Sequence, residues 1–250
     1  MDHFGVCKLC DKNKLLKNSH IVTKNLFKGV FEEQHSVKII TAENKNHSRI
    51  MQDGFKEYLL CDECEQKFGR WENNLYKTLV DIENEKSKIL DISKLTNGNL
   101  FVRGIDYNAF KKSLLSFIWR MSISSIIEFK DFNLGDLEAE FKSILMTDSP
   151  VKEWEYPVFM NKTTLQNNKP SRFVSLPDKI LIYGQYKLVE LVVYGFHFNI
   201  ILSKEELNEN QMELILRENG EFQIRVKDLG IDDEIFKRLF DDDIEKFYKF

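Results

Sequence analysis

The sequence predicts an α+β protein in two parts: a small cysteine-organised unit over residues 1–97, then a larger α+β unit over residues 98–250 with two helices and mostly antiparallel strands. Three observations predict it. All four cysteines lie before residue 65, in two Cys-x-x-Cys pairs. A 3.6-residue apolar period appears twice, after Cys64 and again over 106–129. After Pro150 the texture changes to short apolar runs rich in β-branched and aromatic residues, the mark of strands.

The cysteines justify the first unit. Cys7 and Cys10 are separated from Cys61 and Cys64 by fifty residues, and there is no other cysteine. The opening residues, Met-Asp-His-Phe-Gly-Val-Cys, show no basic stretch followed by an apolar run, so no secretory signal is expected. No stretch approaches eighteen apolar residues, so no membrane span is expected and the protein reads as soluble and cytoplasmic. Disulfides are uncommon in that compartment. Two Cys-x-x-Cys pairs suit tetrahedral Zn–S₄ coordination, each pair forming a tight turn with both thiolates on one side. A redox pair needs only one such motif and a βαβ setting that is missing here. The expected ion is structural Zn²⁺ on Cys7, Cys10, Cys61 and Cys64.

Between the pairs, polar residues through Asn18 read as a loop after a zinc knuckle, and Ser19-His20-Ile21-Val22-Thr23 as a short strand. Residues 29–49 show no period. Asp53-Gly54, flanked by Ile50-Met51 and by an apolar run ending in Leu59-Leu60, predicts a hairpin whose second strand delivers Cys61. Phe68, Trp71 or Glu72, Leu75, Leu79 and Ile82 then predict a helix from Cys64. Knuckle, strand, hairpin and Cys-x-x-Cys-helix follow in the order of a treble-clef zinc finger.

In the second unit, 106–129 reads as an amphipathic helix with Phe110, Leu114, Phe117, Ile118 and Met121 on one stripe. Trp119 and Arg120 are expected in its core and at its rim. A second helix is expected over 134–145. Strands are expected over 156–160, 180–183, 188–194, 196–202 and 221–226. Helices are expected over 207–217 and from 231 to the end, the last with an acidic face. The boundary between the units is drawn at Asn97-Gly98-Asn99.

Net charge is −4, which gives no support to wholesale electrostatic binding of nucleic acid. Locally, six lysines (Lys8, Lys12, Lys14, Lys17, Lys24 and Lys28) stand against the single acid Asp11 between Cys7 and Val30. They suit phosphate contact, or a solvated loop.

Cys7-x-x-Cys10, Ser19-His20-Ile21-Val22 and Leu59-Leu60-Cys61-x-x-Cys64-Glu65 together resemble the zinc-bearing branch of HNH (ββα-metal) endonucleases. They are most like the bacterial variant with Ser-His where most members carry Asp-His. The resemblance covers residues 5–90 and says nothing of 98–250, which is left as the place for a protein partner. It implies DNA as substrate, His20 as the general base, a catalytic Mg²⁺ or Mn²⁺ beside the structural zinc, and a role in phage defence. Histidine suits the base role because its pKa lies near neutrality. Serine is a poor Mg²⁺ ligand, so Ser19 leaves a carboxylate missing. Glu65 and Glu72 lie two helical turns apart and point the same way, so either could replace it. Glu65 also suits the helix N-terminus, Glu72 a salt bridge, and His20 a structural hydrogen bond. His35 and His47 read as surface residues, and Asn25 or Asn44 as orienters of the histidine. The competing function is a non-catalytic treble clef used as a binding scaffold. A third, RNA binding, lacks the interleaved aromatic and basic residues of a single-strand binder.

Overall fold

The computed structural model describes residues 2–27, 37–39, 49–51, 53–165, 169–170, 174–177, 179–183, 185–204 and 207–229. Lys28, His35, Asn44, His47 and the expected acidic C-terminal helix lie outside the described residues. Among the described residues the fold is α+β, with three helices of ten residues or more and mostly antiparallel strands.

The first strands are β1 (Phe4–Val6), β2 (Asn13–His20) and β5 (Lys56–Cys61), which form a three-stranded antiparallel sheet in the order β1-β2-β5. Residues 13–18, expected as a loop, are therefore strand. β2 lies between two partners that satisfy its backbone, and pairing decides its conformation where local propensity does not. Between β2 and β5 come β3 (Val37–Ile39) and β4 (Arg49–Met51), which pair only with each other. Gly54 does take a positive φ of 74°. Yet the strands on its two sides belong to different sheets, so the expected Asp-Gly hairpin is a turn between sheets.

β5 runs directly into α1 (Asp62–Glu83). Phe68, Leu75, Leu79 and Ile82 are fully buried, and each such side chain is worth about 1.5–3 kcal/mol of burial. α1 packs against α2 (Tyr107–Ser122), where the rings of Phe68 and Trp119 meet edge-on at 6.3 Å. Fourteen of the sixteen residues of α2 are buried, so this is a central helix enclosed on all sides and not an amphipathic one. It ends at Ser122, earlier than expected. Ser124 Oγ donates to Glu57 (2.7 Å), and Ser125 bonds the same carboxylate through its N–H and hydroxyl. That clamp on β5 turns the chain out of the helix. α3 (Leu137–Met146) packs on α2 from a third direction.

The large sheet contains β6 (Asp91–Lys94), β7 (Leu100–Arg103), β8 (Val158–Leu165), β9 (Lys169–Pro170), β10 (Leu181–Tyr183), β11 (Tyr186–Val193), β12 (Phe196–Ile201) and β13 (Phe222–Leu229). Its order is β10-β11-β12-β8-β13-β7-β6, with β9 paired to β8. Only β8 and β13 run parallel. Phe110 of α2 meets Phe198 and Phe222 of this sheet at ring separations of 6.1 and 6.2 Å. Residues 97–99 form the turn that joins β6 to β7. Of the helix expected over 207–217, only α4 (Glu209–Met212) forms. No helix among the described residues is long and apolar enough to cross a membrane.

Candidate metal centre

The chain builds the cysteine cluster from two turns. β1 ends at Val6, and the loop that begins with Cys7 closes through Asp11 N–H to Cys7 O (2.9 Å) and Cys7 N–H to Lys12 O (3.0 Å). Asp11 takes a positive φ of 57°, a conformation that aspartate tolerates better than most residues. Lys8 N–H donates to Leu59 O (2.9 Å) and docks the loop on β5. From the other side, Cys61 ends β5 and stands at the N-cap position of α1, and Cys64 follows within the first turn of that helix.

All four sulfurs lie within 4.8 Å of one another, with Cys10 Sγ and Cys61 Sγ 3.9 Å apart. A tetrahedral ion with metal–sulfur bonds of about 2.3 Å requires sulfurs about 3.8 Å apart. The cluster fits, and it could hold a metal ion such as zinc. The electrostatics point the same way. Burial pushes the Cys7 thiol up, but the amides of Cys10, Cys61 and Leu9 more than offset this and its pKa falls to about 7. One of those bonds is Cys61 N–H to Cys7 Sγ at 3.3 Å. Burial and the neighbouring sulfurs push Cys64 well above the usual thiol range, and burial raises Cys10. Four thiols this close resist joint ionisation unless a cation sits among them.

At the far end of β2, His20 Nε2 lies 2.7 Å from the main-chain oxygen of Asp53. A carbonyl only accepts, so Nε2 carries the proton and the neutral ring keeps its lone pair on Nδ1. Gly54 makes this approach possible, because a Cβ there would come within 3.3 Å of His20 Cδ2. The Asp53 carboxylate takes ion pairs from Lys24 (2.8 Å) and Lys56 and lies 3.6 Å from His20 Nε2. The two lysines hold its carboxyl well below the usual range. Ser19 is buried, its hydroxyl donating to Lys17 O (3.3 Å).

The two glutamates take different surroundings. Glu72 is buried in an ion pair with Arg120 of α2. Glu65 lies in the first turn of α1 with one carboxylate oxygen buried and without a hydrogen-bond partner; no side chain caps that helix. Among the described residues, only the four cysteines converge as a group of three or more His, Cys, Asp or Glu ligands. His20, Glu65 and Glu72 form no such group, so the described residues give no support to a catalytic Mg²⁺ or Mn²⁺ ion. Of the lysines, Lys8 and Lys12 are exposed, Lys14 pairs with Glu63 (2.7 Å), and Lys17 pairs with Asp62 (3.1 Å). Asp53, Lys56 and Arg120 escaped the sequence reading. Arg120 does leave a trace there: Ser113, Ser116 and Arg120 form a polar line at helical spacing along a helix whose stretch from Leu114 to Met121 is mostly apolar. No protein-family model matches this chain, and neither a curated protein nor a solved structure does.

Proposed function

We propose that the N-terminal part is a zinc-bearing, treble-clef nuclease unit of the HNH kind, and that the chain hydrolyses DNA phosphodiester bonds with His20 as general base. The observation that carries this reading is the 2.7 Å contact between His20 Nε2 and Asp53 O. It fixes one tautomer and leaves Nδ1 as the acceptor for a water proton, the arrangement a general base requires. As water oxygen bonds to phosphorus, its proton passes to Nδ1; the bond from phosphorus to the leaving oxygen breaks, and that oxygen takes a proton from solvent. Zinc takes no part in the reaction. When bound by the four thiolates, it ties the Cys7–Cys10 loop to the start of α1 and so holds β2 and its terminal His20 against the helix. Exposed Lys8 and Lys12 and the Lys24–Lys56 pair supply sequence-independent phosphate contacts.

A second reading is favoured by the Arg120–Glu72 pair, which occupies one of the two carboxylates that could serve a catalytic divalent ion. In that reading the unit is a zinc-organised binding scaffold. Nicking of supercoiled plasmid in Mg²⁺ or Mn²⁺ separates the two, with wild type compared with His20→Ala at equal zinc content. Nicking by wild type that disappears in His20→Ala supports the nuclease. Equal behaviour of the two proteins counts against His20 as the general base, and nicking by neither favours the scaffold.

A further inference from the structure

We infer that Arg120 is the positioning residue of the His20 site, so that helix α2, well outside the cysteine-organised segment, is part of that site. The inference rests on His20 being the reactive group proposed above.

Arg120 is 1% exposed, and its guanidinium is divided among three elements. Nη1 donates to the main-chain oxygen of His20 at 2.6 Å, across one hundred residues of sequence. Nη2 pairs with Glu72 of α1 and lies 3.4 Å from Ser116 Oγ, while Nε donates to Ser116 O at 3.3 Å. The rings of Phe68 and Phe117 flank the group, each with its centroid 5.3 Å from the guanidinium carbon. A planar fork holds its several donors in fixed directions and so reaches Ser116, Glu72 and His20 together, whereas an ammonium is a single point charge on a flexible stem.

His20 is the last residue of β2, where the chain leaves the sheet. Its ring is tied by Asp53 O and its main chain by Arg120, so the histidine is held at two points by two different parts of the protein. Glu72 completes the device by fixing the other arm of the guanidinium. A buried ion pair adds little net stability over well-packed apolar side chains of similar volume. What methionine at both positions lacks is the hydrogen bond to His20 O. Arg120 therefore acts through His20 and touches no substrate.

The test uses the full chain loaded with zinc, in three forms: wild type, Arg120→Lys, and the double variant Glu72→Met/Arg120→Met, which removes both charges together. Zinc content and melting temperature establish that each is folded. The first readout is the ¹⁵N spectrum of the His20 imidazole, assigned by its loss in His20→Ala. Wild type is expected to show the Nε2–H tautomer, and both variants a signal averaged between tautomers. The second readout is plasmid nicking, in which kcat falls about a hundredfold with KM unchanged, the scale of a misplaced reacting group. A folded double variant with the wild-type imidazole signal overturns the inference, and so does wild-type kcat in either variant. Should wild type and His20→Ala nick alike, the nuclease reading fails on its own, and the imidazole spectrum alone decides whether Arg120 positions the ring.

Discussion

Near the N-terminus four thiols converge within 4.8 Å of one another, whereas helix α2 buries three cations: Lys111, Lys112 and Arg120. Arg120 faces the carboxylate of Glu72. The Lys111 ammonium meets the Tyr107 hydroxyl (2.9 Å) and Lys152 O (2.7 Å), and that of Lys112 meets Thr147 O (2.6 Å). Burial accordingly lowers Lys111 to about 7; burial and the nearby Lys67 charge lower Lys112 to about 8. Both regions bury ionisable groups, and they differ in where the balancing charge comes from. The thiols suit an ion from outside the chain, Arg120 has the Glu72 carboxylate opposite it, and Lys111 has its pKa lowered by burial instead. Three tests follow from this contrast, and they decline in size.

Metal removal is the severest. Structural zinc supplies about 10–16 kcal/mol of apparent folding energy in small zinc peptides at neutral pH, comparable to the whole stability of a typical domain, about 5–15 kcal/mol. Chelation is therefore expected to release one zinc per chain and to abolish amide-exchange protection over β2, β5 and the first turns of α1. The large sheet, whose β8–β12–β11 core has no cysteine, is expected to keep its protection. Unchanged protection over β2 and β5 after the metal is gone would mean that Leu60, Phe68 and their neighbours hold the unit without it.

Lys111 gives a smaller effect with a definite sign. An unfolded lysine titrates near 10.4, whereas the buried one titrates at about 7. Between those values the unfolded chain binds a proton at this residue that the native chain does not, so stability rises with pH across the window. The rise from this one group is at most about 1.4 kcal/mol per pH unit, and it levels off as pH falls below the native value. Urea unfolding of wild type and Lys111→Met at several pH values between these limits isolates it. A flatter profile in the variant is the expected result. Parallel profiles would show that Lys111 stays charged, held by the Tyr107 and Lys152 oxygens.

Much of this arrangement is legible in the sequence, and what is not has a common cause. The two Cys-x-x-Cys pairs mark the cluster because their chemistry is local to each turn. α1 is legible because Phe68, Leu75, Leu79 and Ile82 share one face. What escapes is whatever depends on a partner far away in the chain. Residues 13–18 become strand because β1 and β5 flank them. The apolar period through Ile123 and Ile126 suggests a longer α2, and only Glu57, 67 residues earlier, draws Ser124 and Ser125 out of it. Gly54 is recognisable as a turn glycine, but nothing nearby says that its flanking strands join different sheets. Glu72 reads as a salt-bridge residue or a ligand, and its partner, Arg120, lies 48 residues downstream. Arg120 itself reads as a rim residue because a charge on an apolar helix is usually exposed.

Asp53 supplies the mildest test, because its charges are balanced at the surface. The carboxylate is 45% exposed and takes Lys24 and Lys56 as partners. Exposed pairs of this kind contribute about 0.2–1 kcal/mol each and weaken with salt. The lysines lower the pKa of Asp53, so what stability they add is present above the ordinary carboxylate range and lost as pH falls through it. The contact that fixes His20 is made by the main-chain oxygen of Asp53, which Asp53→Asn retains. The substitution should therefore change stability by no more than about 1 kcal/mol and leave the His20 tautomer as it is. Its visible effect should be on nucleic acid. With their carboxylate neutralised, Lys24 and Lys56 are free to meet phosphates, and each added phosphate contact steepens the salt dependence of log K by about 0.9 on duplex DNA. Binding measured across a salt series should therefore be tighter in Asp53→Asn and steeper by about one to two. An unchanged slope would place the DNA path away from His20 and remove the phosphate role from these two lysines, leaving Lys8 and Lys12 at the cysteine end to carry it.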